Sequence, residues 1–298
     1  MTKQTPADAG WFAAIDGDPS SDDARDAAAT AVRTGSSPSP ENWPANALES
    51  GFVESKADYY DQLKAATTTA TRTAVREREG ADDRQIVHAI RTMDDCERTA
   101  NELAERLAEW GGSVDSEAGT GIEYARELAA RDDVPPEQAR LVSLAENIVS
   151  LADEADDVRE YVEQQMPSVA PNLTALADPV LGARLLSLAG GLEELAKKPS
   201  GTVQVLGAED ALFAHLRGHA PSPKHGIIYM HDAVRGTHPD NRGSAARAVA
   251  GKLTIAARVD HYSGELKPEL EAELVDRIET IQARTVDESA GEGGESDE

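Results

Sequence analysis

The sequence predicts a mainly α protein: an antiparallel helical hairpin followed by a second, all-α domain, with a short N-terminal region left open between α and α+β. Two observations point there. Ala is abundant, while only three Phe, three Trp and six Tyr are present, so cores must be built from Leu, Val, Ile and Ala, a palette that leans towards helix. Apolar residues also recur in steps of three and four along two stretches between positions 86 and 162, the signature of paired heptad seams.

Taken in order, residues 1 to about 50 are rich in Asp, Ser, Pro, Gly and Ala, with "TGSSPSPENWP" reading as a linker, and hold at most a minimal folded unit. A helical pattern begins at Ser55. The first seam is Ile86, Ile90, Met93, Ala100, Leu103, Leu107 and Trp110; the second is Leu141, Leu144, Ile148, Leu151, Ala155, Val158 and Val162. A linker of about 25 residues between them, opened by "GGSVDSEAGTG" and closed by "VPP", lets the second helix fold back on the first. Either each seam packs only on the other, or leftover apolar positions also pair two copies of the chain. Candidates for that pairing are Ile90, Leu103, Leu107, Leu144, Ile148 and Leu151.

Pro167 and Pro171 are expected to break the second helix, since each lacks an amide donor and fixes φ. "DPVLGARLLSLAGGLEELAKK" reads as one or two close-packed helices, with Pro179 in a first turn and Gly182, Ala183, Ala189 and Gly190 permitting close approach. A helix over 207–217, a buried run "GIIYM", and helices over about 242–260 and 268–284 follow. The tail "DESAGEGGESDE" has almost nothing to bury and is expected to be disordered.

The net charge is -26. Spread over nearly the whole chain, with Arg outnumbering Lys, it reads as the habit of a salt-loving archaeon; an acidic protein that docks basic partners is the rival reading. A single Cys96 excludes an intramolecular disulfide framework and fits a reducing cytoplasm. No signal-peptide pattern and no apolar run of about 20 residues stands out, so the expected location is cytoplasmic and off the membrane.

Against this background one segment is basic: residues 211–258 hold seven Lys/Arg (Arg217, Lys224, Arg235, Arg242, Arg247, Lys252, Arg258) and two acids, Asp232 and Asp240. His215 and His219 have the spacing of a metal-ligand pair, but Gly218 and Pro221 end the helix there and neither a zincin Glu nor a Cys accompanies them, so no metal or cofactor is expected. Neither a phosphate-cradling Gly-rich loop nor a nucleophile elbow is present. Nucleic acid fits better: on the helix after Arg242, Arg247, Gly251, Thr254 and Arg258 share a face, two guanidiniums flanking small residues, to which a phosphate backbone can come close.

These residues also carry a resemblance. "APNLTALADPVLGARLLSLAGGLEELAKKPSGTVQVLGAEDALFAHL", "PKHGIIYMHDAV" and "RGSAARAVAGKLTIAARVDHYSG" closely resemble the Nop domain in the form of the archaeal scaffold of box C/D small ribonucleoproteins, over about residues 169 to 264. "GFVESKADYYDQL" and "IVHAIRTMDDCERTANELAERLAEW" look like the entry to, and first helix of, that family's coiled coil. The resemblance implies a non-catalytic scaffold, with a reduced N-terminal domain over 1–54 on the side of fibrillarin and a self-associating hairpin over 55–168. It further implies a Nop domain over 169–285 and a disordered acidic tail over 286–298. The implied partners are a box C/D guide RNA, a kink-turn-binding ribosomal-type protein, the fibrillarin methyltransferase that performs 2'-O-methylation of rRNA or tRNA, and a second copy of the chain. The implied RNA contacts are Lys224, His231, Arg242, Arg247 and Lys252. Gly207, Ala208, Glu209, His225, Gly226 and Gly243 fall on motif positions that set local geometry. Departures remove charge: Asp210 replaces the motif Lys, Ala214 an Arg and Ser244 a Lys, while Met230 and Asp232 replace Gln and Pro. The alternatives are a metal-dependent hydrolase, a coiled-coil adaptor without an RNA role, and a Nop protein of another ribonucleoprotein.

Overall fold

The computed structural model describes residues 10–15, 21–37, 39, 41–131 and 135–291, and among them every regular element is helical. The chain divides into two compact units, residues 1–81 and 82–298.

In the first unit a 3-10 turn, Trp11–Ala14, precedes α1 (Asp22–Thr34), α2 (Trp43–Glu49) and α3 (Lys56–Glu79). Ser21 and Ser55 cap α1 and α3 by accepting from the Ala24 and Asp58 amides, each satisfying a donor with no intrahelical partner. Half of the chain's few aromatic residues gather here. Phe12 stacks on Phe52 at 5.5 Å, and the Trp11 indole donates to the Tyr59 hydroxyl at 3.2 Å. Arg33 of α1 pairs with Glu77 of α3. The elements described in this region are helices, and the boundary falls after Ala81, where the sequence places it before Ser55: Tyr59, Ala66 and Ala70 bury α3 within the first unit.

In the second unit α4 (Asp82–Val114) and α6 (Ala139–Val169) form the hairpin. Ile86 and Met93 share a core with Val162 and Met166, and Ala100 to Leu107 share another with Leu141 to Ala152, so the pair is antiparallel. The linker contains a helix that its glycines conceal, α5 (Gly121–Ala129). Tyr124, Ala125 and Leu128 bury it on the hairpin, and a Cβ at Gly111 would come within 2.6 Å of the Tyr124 hydroxyl.

Pro167 does not break α6, which runs on to Val169. Burial of Val162 and Met166 in the core outweighs the missing amide. Pro171 instead begins α7 (Pro171–Ala177), and α8 (Pro179–Ala189) and α9 (Leu192–Lys197) follow as two helices. Gly182 has the packing role expected, lying against Met166, whereas Gly190 has no neighbour near its missing Cβ and serves as a left-handed cap at φ 98°. Next come α10 (Ser200–Val205), α11 (Glu209–Leu216), a 3-10 turn Ile227–Met230, α12 (Asp232–Arg235), α13 (Arg242–Tyr262) and α14 (Glu269–Gly291). Residues 286–291 of the acidic tail are thus helical; the rest of the expected disordered tail, 292–298, lies outside the described residues.

α13 is the axis of this domain. Its buried face is mostly alanine, Ala245, Ala246, Ala250, Ala256 and Ala257, with Val249 and Leu253, which lets α7, α9, α10, α12 and α14 pack closely around it. Asp260 at its end is buried and accepts from the Asn172 and Leu173 amides at 2.9 and 2.8 Å and from Asn172 Nδ2 at 2.6 Å. The carboxylate thereby caps α7, whose Pro171 has no amide to satisfy.

The hairpin root belongs to the same core, since Ile86, Val87, Ile90 and Met93 lie in it. Arg184 of α8 binds Asp94 of α4 through Nε and Nη2 at 3.1 and 2.6 Å. This overturns part of the pairing expectation: Ile90, Leu107 and Ile148 are fully enclosed within the chain and offer nothing to a second copy. Leu103, Leu144 and Leu151 are half-buried against the hairpin core.

Candidate nucleic-acid interface

The segment 204–243 makes one surface from three anchors, two of them between backbone groups and one from a side chain. Gly226 N–H donates to the Gln204 carbonyl at 2.9 Å and Ile227 N–H to that of Leu206 at 2.7 Å, while Gln204 Nε2 donates to the Lys224 carbonyl at 2.8 Å. A Cβ on Gly226 would sit 2.0 Å from the Leu206 oxygen, so only glycine allows the two strands of chain to approach. Gly207 takes φ 82°, and its amide donates to Glu209 Oε1 at 3.0 Å. Ala208 is the N-cap residue of α11. Glu209 therefore closes the Gly207 turn from within the first turn of the helix.

The anchored loop and the start of α13 display four side chains. The His225 ring stacks on Tyr229 with centroids 4.7 Å apart and planes 22° apart. Arg242, at the start of α13, lies 5.5 Å from the centre of the same Tyr229 ring, and its Nε donates to the Thr237 carbonyl at 3.0 Å. Such a cation over an aromatic face is attracted by the ring quadrupole. The stem of Lys224 runs past Gly243, about 3.9 Å from where a Cβ would be. Burial, then the nearby charges of Arg242 and Lys224, hold the His225 imidazole below its ordinary value. Lys224, His225, Tyr229 and Arg242 form a cationic platform with an aromatic floor.

The other predicted contacts are placed differently. Arg247 is exposed on α13 and its side chain has no partner among the described residues. Of the face it was expected to share, Gly251 is half-buried, Thr254 is buried and Arg258 donates through Nε to the Ala196 carbonyl at 3.0 Å. Lys252 pairs with Glu273 of α14, so it joins two helices. The His231 ring is used internally on both sides: Nε2 lies 2.7 Å from the Leu176 carbonyl, and Nδ1 accepts from the Ala233 amide at 3.1 Å. Accepting from the Ala233 amide makes His231 the cap of α12. Arg235 pairs with Asp232 at 2.6 Å. His215 and His219 are separated by the end of α11 and by Gly218 at φ 76°, and His215 Nδ1 lies 3.0 Å from the Ala220 carbonyl; they share no helical face.

Sequence reasoning missed Tyr229, which it assigned to a buried run. Ile228 is buried, but Tyr229 and Met230 are exposed, because the run folds as a 3-10 turn that buries one residue and presents the next. The turn also touches the hairpin anchor, with Arg184 Nη1 3.6 Å from Met230 Sδ.

Comparison with known proteins identifies the domain that carries this platform. Residues 82–280 match the family model described as Nop, snoRNA binding domain, fibrillarin, a match that begins where the second compact unit begins. An uncharacterized NOP5 family protein of Methanocaldococcus jannaschii is 34% identical over 273 residues, covering 79% of this chain and 66% of that one. Nucleolar protein 58 of Schizosaccharomyces pombe is 37% identical over 61% of this chain and 43% of its own length. The chain thus spans less than two thirds of the curated relatives it matches and under half of nucleolar protein 58. A chain from a crystal structure of a fibrillarin/Nop5p complex superposes with a TM-score of 0.51 at 26% identity, over 92% of this chain and 98% of that one.

Proposed function

Since this chain belongs to the Nop family, we propose that it is a non-catalytic scaffold of a box C/D ribonucleoprotein, binding guide RNA through the platform of Lys224, His225, Tyr229 and Arg242, with a further contact from Arg247, exposed farther along α13. The observation that carries this reading is the platform itself: cations gathered on an aromatic floor in the snoRNA-binding part of a chain of net charge -26. A kink-turn-binding ribosomal-type protein completes the surface, because two weak contacts bound together exceed either one. The first unit is the side towards fibrillarin, in keeping with the likeness to Nop5p, and RNA-guided 2'-O-methylation is the reaction of that partner. The hairpin is the self-association element, through positions such as Leu103, Leu144 and Leu151. A gel shift with a box C/D guide RNA, with and without the kink-turn-binding protein, tests the reading. A supershift of the preformed RNA–protein complex that Arg247→Glu abolishes is expected; no shift under any condition refutes it.

A further inference from the structure

The platform contains one group whose charge is not fixed. Lysine and arginine side chains carry their charge throughout the neutral range, whereas an imidazole titrates there. His225 is held in place by its stack on Tyr229 and by the amide of its neighbour Gly226. The groups facing it are Lys224 from its own loop, Tyr229 from the 3-10 turn and Arg242 from α13. Gln204 of α10 and Leu206 just after it contribute carbonyls that accept from the Gly226 and Ile227 amides. The charges acting on the ring are those of Arg242 and Lys224, while Glu209 binds the Gly207 amide and Asp232 pairs with Arg235.

Resting on the RNA reading above, we infer that seating an anionic phosphate between Lys224, His225 and Arg242 is coupled to uptake of one proton by His225. Before binding, the two neighbouring cations and partial burial oppose a third positive charge. A phosphate reverses the sign of the local field, and the imidazolium becomes a third donor to it. The sign follows from linkage. The imidazole binds its proton more weakly in the free protein than in the complex, so affinity rises as pH falls through the interval between the two values. Below the free-protein value both forms are charged and the dependence stops. The platform therefore grips RNA more firmly in mildly acidic conditions.

The test measures, by fluorescence anisotropy between pH 5.5 and 8, the affinity of the full chain for a labelled box C/D guide RNA already bound to its kink-turn protein. In parallel, His225→Gln and His225→Lys are measured, with circular dichroism at each pH to establish folding. For the unaltered chain, affinity is expected to rise at least threefold from pH 7.5 to 6, and no more steeply than about tenfold per pH unit for one proton. His225→Gln flattens that rise, and His225→Lys binds nearly as tightly at pH 7.5 as at 6. Calorimetric proton uptake by the unaltered chain in two buffers of unlike ionisation enthalpy reads the same coupling without a variant. Equal pH slopes in the unaltered chain and His225→Gln, or no proton uptake, overturn the inference and leave the RNA site standing. No binding at any pH overturns the RNA reading and this inference with it.

Discussion

A single methyl group at position 226 would meet the Leu206 carbonyl at 2.0 Å and the Val205 and Leu206 carbonyl carbons at 2.7 Å, all backbone that no side-chain rotation can move. Gly226→Ala is expected to destabilise the domain by about 2 kcal/mol or more and to lower RNA affinity by displacing His225 and Tyr229; denaturant unfolding checks the first effect. Asp260 is a second such residue, accepting three hydrogen bonds from Asn172 and Leu173. Asp260→Asn turns an amide group towards those donors, and a loss of roughly 2–3 kcal/mol is expected from the charged hydrogen bonds, read by the same melts. Neither role is visible in sequence patterns. The glycine could be matched to a motif position, but what it must avoid is 20 residues away along the chain. The buried Asp looks like any other acid in a chain that has many.

At the scale of elements, period decides what could be read. The two heptad seams predict α4 and α6 because long amphipathic helices repeat their burial pattern many times. α5, α10 and α12 are short and flanked by Gly or Pro, so their pattern does not repeat and they read as loops. Periodicity also identifies which residues are buried without saying by what. Ile148→Ala is accordingly expected to cost about 2–5 kcal/mol in unfolding free energy, whereas Leu144→Glu and Leu151→Glu are expected to shift self-association in sedimentation equilibrium. Lys252 illustrates the same limit for charge: its step along α13 marks it as basic, but only the arrival of α14 gives it Glu273. A double-mutant cycle on this pair is expected to give a coupling of about 0.2–1 kcal/mol, since Glu273 is largely exposed.

Over the whole molecule, the acid excess and the basic segment were legible from composition, and the family resemblance drew the candidate contacts from that segment. The platform's actual membership came from folding, which drew in Tyr229 and committed His231, Lys252 and Arg235 to internal bonds. With few cations left to neutralise phosphates, the affinity should fall gently with salt, with a log–log slope no steeper than about -4 for some three or four contacts. Whether the platform holds RNA is decided by comparing the affinity of Lys224→Ala/Arg242→Ala and of Lys252→Ala for the preformed complex of guide RNA and kink-turn protein. At least a tenfold loss is expected for the platform pair, with the fold intact by circular dichroism, and less than a threefold change for Lys252→Ala. Unchanged binding by the platform pair, or a larger loss from Lys252→Ala, would contradict that role for the platform.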